Sequence, residues 1–310
     1  MSESNNMRTP MEKKKIVVIG SSNTDLVIKT TRIPSPGETV IGGEFLMTAG
    51  GKGANQAVAI ARLGGDVAFI SKVGRDMFGE SALRGYAADG LPTDYISRDG
   101  SAPSGVALIT VDAHGENCIV VAPGANNTLT TADIDAHREL ICGAEYLLMQ
   151  LEIPIEVVEY AAEMADAHGV KVILNPAPAA PLSAGLLRKL YLITPNLSEC
   201  RLITGIDINH EADAERGAEK LLEMGARAVI ITLGSRGALI RTREECQMIA
   251  AEHVIAIDTT AAGDVFNGAL TVALSEGKSL VEAAQFAAHV AAISVTRMGA
   301  QSSIPYRREL

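Results

Sequence analysis

The residues most suited to chemistry stand in the run Asp258-Thr259-Thr260-Ala261-Ala262-Gly263-Asp264-Val265-Phe266-Asn267-Gly268-Ala269. The pattern predicts a strand ending at Asp258, a turn of small residues, and a long amphipathic helix beginning near Gly263. Small side chains leave consecutive N–H groups of a first helical turn bare, which makes an anion hole for charge developing on phosphate oxygens. A carboxylate in such a turn is a poor phosphate ligand but a good base for the proton of an attacking hydroxyl. A helix cap alone would account for Asp264 but not for the alanines and glycine ahead of it.

Four further groups offer partners. Gly50-Gly51-Lys52-Gly53-Ala54-Asn55-Gln56-Ala57 sets three glycines at the mouth of an alanine-rich helix, where backbone can approach a ligand and Lys52 and Asn55 would face it. Asn23-x-Asp25 follows a short apolar run and offers donors and acceptors to a polyhydroxylated ligand; on its own it reads equally as an Asx turn. Ile231-Thr232-Leu233-Gly234-Ser235-Arg236-Gly237 leads a strand into a turn able to hold phosphate or ribose by backbone groups. Asn196-x-x-Glu199 places amide and carboxylate on one helix face, either to order Mg²⁺ through water or to cap the helix, at even weight.

These residues need elements to hold them. Strand-like runs at Val67–Ser71, Tyr146–Gln150, Val170–Leu174, Tyr191–Thr194 and Ala228–Thr232 alternate with helical stretches at Ala54–Leu63, Glu156–His168 and Ala212–Met224, each stopped by glycine. That rhythm predicts a parallel sheet with helices on both faces. Segments 25–48 and 104–122 break it, carrying β-branched runs (Val27–Thr31, Thr39–Ile41, Val106–Val111, Cys118–Val121) with no helix between them and a hairpin turn at Asp112–Gly115. They predict a small antiparallel sheet with an uncovered apolar face, including Val106, Leu108, Ile119 and Val121, that closes over a ligand and pairs with a second copy; an extra edge hairpin on the main sheet is the alternative. Residues 1–12 are polar and predict a disordered tail, with folding from residue 13 to 310.

Composition narrows the choices. Hydrophobic residues make up 47% and charged residues 21% of the 310, and the net charge is −10, so a basic nucleic-acid surface is not expected. No stretch is apolar for long enough to span a membrane, and the four cysteines form no metal-ligand pattern, so a cytoplasmic protein is expected. Walker-type, dinucleotide-binding, serine-hydrolase and zincin signatures are absent.

Taken in order along residues 14–306, these motifs resemble those of the ribokinase-like family of carbohydrate kinases. Met149-Gln150-Leu151-Glu152, Asn175-Pro176-Ala177-Pro178, Thr194–Glu199 and Thr296–Ser303 add to the likeness. The resemblance implies a doubly wound, mostly parallel α/β sheet with a small β lid, a homodimer through the lids, and transfer of the γ-phosphoryl group of ATP to the 5-hydroxyl of D-ribose. It implies that Asn23, Asp25, Gly51, Lys52, Asn55 and Glu152 hold the sugar, that Asp264 is the base, and that Ala261, Ala262 and Gly263 form the anion hole. It further implies nucleotide contacts from Asn196, Thr232, Gly234, Ser235, Gly237 and Gly263, and Glu199 supporting Mg²⁺. A potassium site is implied at Asp258, Thr260, Ser294, Arg297, Gly299 and Ser303, largely through main-chain oxygens.

Two departures bear on detail. Many members carry glycine where Ala261 stands, a change that narrows the substrate without weakening the kinase chemistry. A histidine that lies near adenine in some members would fall at Ala288; this chain has His289 instead, about 100° round a helix, and His289 is left out of the site. Kinases of 2-deoxyribose or fructose, and a non-catalytic sugar-binding protein, remain the competing readings.

Overall fold

The computed structural model describes residues 14–310; the tail expected over residues 1–12 lies outside the described residues. In chain order the first half forms β1 (Lys15–Ile19), β2 (Asn23–Lys29), β3 (Glu44–Gly50), α1 (Lys52–Arg62), β4 (Asp66–Gly74), α2 (Met77–Ala88), β5 (Ile96–Asp99), β6 (Gly105–Val111), β7 (Asn117–Ala122), α3 (Thr131–Asp135) and α4 (Arg138–Cys142). The second half forms β8 (Tyr146–Met149), α5 (Ile155–Ala167), β9 (Lys171–Leu174), α6 (Ala184–Lys189), β10 (Leu190–Ile193), α7 (Leu197–Thr204), α8 (Glu211–Glu223), β11 (Val229–Thr232), β12 (Ala238–Arg241), β13 (Cys246–Ile249), α9 (Ala262–Ser275) and α10 (Leu280–Ser294).

β1 shows why the large sheet is buried on both sides. Its apolar residues alternate, as strand geometry requires. Ile16 and Val18 belong to the apolar cluster that α1, α9 and α10 complete on one face, while Val17 and Ile19 belong to the one that α5 and α8 complete on the other. The sheet has nine strands in the order β13-β12-β11-β10-β9-β8-β1-β4-β5. It is parallel from β5 to β11, and β12 and β13 join it antiparallel. No helix among the described residues is long and apolar enough to cross a membrane.

The expected accessory sheet is present with four strands, β3-β2-β6-β7. Its two hairpins are antiparallel, but the central pair, β2 and β6, runs parallel because a long excursion through the main sheet separates them. Three expectations need correction. Thr39–Ile41 forms no strand; Gly42 and Gly43 take φ of 112° and 120°, and β3 begins only at Glu44. No strand leads into Asp258 either: residues 250–257 are irregular, and the amides of Ile257 and Asp258 both donate to the Val295 carbonyl.

The third correction concerns the lid's apolar face. Leu108 pairs with Val120, and Ile109 with Ile119. Since opposed residues share a face, Val106 and Leu108 lie on one side with Val120, and Ile119 and Val121 lie on the other with Ala107 and Ile109. A one-residue register difference decides this, and the sequence pattern does not specify it. Both sides therefore carry exposed apolar side chains: Ile28, Phe45, Met47, Leu108 and Val120 on one, Leu46, Ile119 and Val121 on the other.

Candidate active site

The site lies where doubly wound sheets bind ligands, beyond the carboxyl ends of the parallel strands. Residues 20–23 follow β1, Gln150–Glu152 follow β8, Asn175 follows β9, and Thr194–Asn196 follow β10. Two helix starts point into the same region, those of α1 and α9.

The α1 start depends on backbone proximity. A Cβ at Gly53 would come within 2.6 Å of the Gly20 backbone, so the helix can meet the end of β1 only with glycine there. The carboxylate of Glu152 closes the junction, accepting from Ser21 Oγ at 2.6 Å and from the Lys52 amide at 3.0 Å. One oxygen of Glu152, Oε2, thus caps α1, whose cap residue Gly51 has no side chain to do so.

The α9 start is uncapped by side chains, in contrast to α2, α7 and α10, which Asp76, Asn196 and Ser279 cap. Ala261 precedes the helix in the left-handed region with φ 60°, the one described non-glycine residue with positive φ. The amide of Ala262 turns back to the Thr259 carbonyl. Among the described residues, the amides of Ala261, Gly263 and Asp264 have no hydrogen-bond partner, so of the three residues expected to form the anion hole only Ala262 donates elsewhere. A left-handed turn at Ala261 redirects the chain and consumes the Ala262 donor.

Asp264 bridges the two helix starts. Asn55 Nδ2 donates to Oδ2 at 2.9 Å and Gln56 Nε2 to Oδ1 at 3.0 Å. Burial pushes its carboxyl up, while the Lys52 ammonium and the two amides pull it down. Asn55 Oδ1 is buried with no hydrogen-bond partner, an acceptor left for a hydroxyl. Lys52 itself is held above the ordinary lysine range by the Asp264 charge, against its burial, with help from Glu152, Glu199 and Asp25.

Asn23 and Asp25 open β2. Asn126 fixes the first by donating to Asn23 Oδ1 at 2.7 Å, while its own Oδ1 accepts from the Ser22 amide. Burial, and then the charges of Glu152 and Asp264, push Asp25 up to about 6. Asn126 escaped sequence reasoning because it stands in a short 3₁₀ turn about a hundred residues away.

At the other end of the cleft, Asn196 and Glu199 form a reciprocal capping box on α7, with 2.8 Å bonds from Asn196 N and Nδ2 to the two Glu199 oxygens. The capping alternative is therefore realised. Burial still pushes Glu199 up, and it feels the charges of Lys52 and Asp264, so it adjoins the same site. Asn196 bridges to Thr232, bringing the β10 and β11 ends together, and the Gly234–Arg236 turn is closed by a Leu233 N–H bond to the Gly237 carbonyl. Ser235 is exposed beside it.

Asp258, Thr260 and Gly299 come into direct contact: Asp258 Oδ1 accepts from the Thr260 amide and hydroxyl, and Oδ2 from the Gly299 amide at 2.8 Å. Burial opposes the charge, but these bonds hold Asp258 below its ordinary range. Arg297 N–H reaches the Ser294 carbonyl at the end of α10, and Ser303 bonds within its own turn to Ala300. His289 is half-buried and pairs with Glu252. Among the described residues no three His, Cys, Asp or Glu side chains form a metal-holding group.

Residues 13–307 match the model of the pfkB family of carbohydrate kinases. A ribokinase of Haemophilus influenzae is 45% identical over 297 residues, covering 96% of this chain and 97% of its own. A deoxyribokinase of Salmonella typhi is 37% identical over 291 residues, covering 94% and 95%. The solved structure of Arabidopsis thaliana ribokinase complexed with ribose and ATP superposes with a TM-score of 0.89 at 31% identity, covering 96% of this chain and 97% of that one. With a family match over nearly its whole length and relatives this close, the chain belongs to the pfkB family of carbohydrate kinases.

Proposed function

We propose that this protein transfers the γ-phosphoryl group of ATP to the 5-hydroxyl of D-ribose, giving D-ribose 5-phosphate and ADP. The observation that carries this reading is the position of Asp264, held at a helix start with free amides and beside the unpartnered acceptor of Asn55. The sugar O–H bond breaks as its proton passes to Asp264. The sugar oxygen then bonds to the γ-phosphorus, and the bond from that phosphorus to the bridging oxygen breaks, releasing ADP. Charge on the equatorial oxygens falls on the Gly263 and Asp264 amides and on Lys52. Preorganised donors of this kind are each worth roughly 10²–10³ in rate.

Asn23, Asp25, Gly51, Lys52, Asn55 and Glu152 orient the sugar, while Asn196, Thr232, Gly234, Ser235 and Gly237 line the nucleotide side. The site fits Mg²⁺, because Asp25, Glu152, Glu199 and Asp264 surround one lysine and ATP adds further negative charge. Glu199 would hold the ion through water, and the ion would neutralise phosphate charge. The turn joining Asp258, Thr260 and Gly299 fits potassium, offering main-chain oxygens and the nearby carbonyls of Ser294, Arg297 and Ser303. Bound there, the cation would stiffen the turn that presents the α9 amides. Residues 13–310 act as one catalytic unit with lid segments 25–48 and 104–122. The uncovered lid pairs with a second copy, and four free cysteines suit the cytoplasm.

The 37% identical deoxyribokinase favours 2-deoxyribose as the second reading. A sugar panel with ATP and Mg²⁺, run with and without potassium, separates them. Ribose turning over best, and faster with potassium, is expected. Equal or better use of deoxyribose would move the assignment, and no transfer to any sugar would leave only a binding protein.

A further inference from the structure

A buried chain of amides runs behind Asp264, built from residues other than those named above as sugar contacts. Gln56 on α1 donates from one nitrogen to two acceptors, Asp264 Oδ1 at 3.0 Å and Asn175 Oδ1 at 3.0 Å, while its Oε1 accepts from Gln150. Asn175 Nδ2 donates to the Thr194 carbonyl, the Thr194 hydroxyl to Asn267 Oδ1 at 2.6 Å, and Asn267 Nδ2 to the Gly263 carbonyl at 2.8 Å. Gly263 precedes Asp264, so the path closes into a ring through α1, the ends of β9 and β10, and α9. Gln56 and Gln150 are fully buried, and Asn175, Thr194 and Asn267 nearly so.

Burying this many polar groups is costly unless they are paired, and here all the side-chain donors and acceptors but Gln150 Oε1 are, which favours one arrangement. The ring joins the carboxylate to the peptide that carries the free amides. We propose that Gln56 is a positioning residue for phosphoryl transfer: it locks Asp264 Oδ1, leaves the second lone pair of Oδ2, which also accepts from Asn55, for the sugar hydroxyl, and through Asn175, Thr194 and Asn267 makes base and anion hole one rigid unit. This rests on Asp264 being the base.

The amide also favours the ionised form that a base requires. The charged groups facing Asp264 are Lys52 on α1, Glu152 after β8, Asp25 on β2 and Glu199 on α7, and all of them remain when Gln56 is changed. Losing the Gln56 donor therefore raises the pH at which Asp264 deprotonates in the bound complex.

The test is the pH dependence of kcat, which reports the enzyme–substrate complex, with ATP, Mg²⁺ and ribose. Gln56→Met should lower plateau kcat roughly 10- to 100-fold, as for a base displaced by about 1 Å, and move the acid limb upward by about one pH unit. Gln56→Glu, nearly isosteric, should move the limb further because two carboxylates then share a proton, and it carries the test if the methionine variant does not fold. Thr194→Val, which cuts the ring remote from the carboxylate, should lower kcat and leave the limb in place. An unmoved limb in both Gln56 variants, or an equal shift in Thr194→Val, overturns the assignment. Full activity in Asp264→Asn would instead remove the base on which it rests, so the two failures are distinguishable.

Discussion

The cleft and the lid are built on opposite principles. In the cleft, Asp264, Asn55, Gln56, Asn175 and Asn267 are buried and held by named partners from several elements. In the lid, β7 is exposed along its whole length, and Phe45 and Val120 are each 63% exposed. The cleft's groups are held by bonds within the protein itself, which suits groups that must meet a transition state without rearranging. The lid leaves apolar area in water on both of its faces, so it is complete only when something covers each. The face with Ile119 and Val121 also carries Asp25 of the cleft, and in the proposed dimer the face with Leu108 and Val120 is the one that a second copy would cover.

That division can be broken most sharply in the lid. The double change Leu108→Asp and Val120→Asp puts two charges on the outer face, and the dimer dissociation constant should rise by at least ~10³-fold, the order expected for desolvating unpaired charges at an interface. Sedimentation at micromolar concentration reads this out; an unchanged dimer would assign the interface elsewhere. The folded chain itself should persist, since the lid contributes little to the core.

Asp25 joins the two regions, and its charge is expensive. Folding raises its pKa, so the folded state holds the proton more tightly than the unfolded one. Its stability contribution is therefore greatest below about pH 4 and is lost as the pH rises through about 6. Asp25→Asn should stabilise the protein by about 1 to 3 kcal/mol above that window and by nothing below it. Sugar affinity should fall roughly tenfold or more, as for a buried hydrogen bond to a charged group. Denaturation at pH 5 and pH 8, with sugar titration, checks both; equal stabilisation at the two pH values would contradict the burial argument.

Ala261 makes the smallest prediction. A left-handed alanine costs about 1–2 kcal/mol, and glycine removes that while gaining unfolded-state freedom. Ala261→Gly should stabilise by up to about 1 kcal/mol, with kcat changed by only a few fold. A loss of stability would mean that the alanine methyl makes contacts that outweigh its strain.

The legible parts of the molecule were those written locally. The alternation of strands and glycine-stopped helices set the main sheet, and the small residues before Asp264 marked the uncapped helix start. Gln56, Asn175 and Asn267 escaped because a buried amide on a helix or after a strand has no local signature; its partner lies up to 208 positions away. The lid's two faces escaped because alternation survives a one-residue slip, and only the Asp112–Glu116 turn decides the register. The internal bond of the Ala262 amide escaped because nothing local foretold the left-handed turn at a non-glycine Ala261.

The central claim is that Asp264 takes the sugar's proton while the bare amides of α9 carry the phosphoryl charge. Asp264→Asn keeps the amides and the shape but removes the base. Single-turnover transfer from ATP to ribose should fall by at least ~10³-fold, near the upper range for losing general-base catalysis, while calorimetry still detects binding of both ligands. Transfer at the wild-type rate would contradict the account.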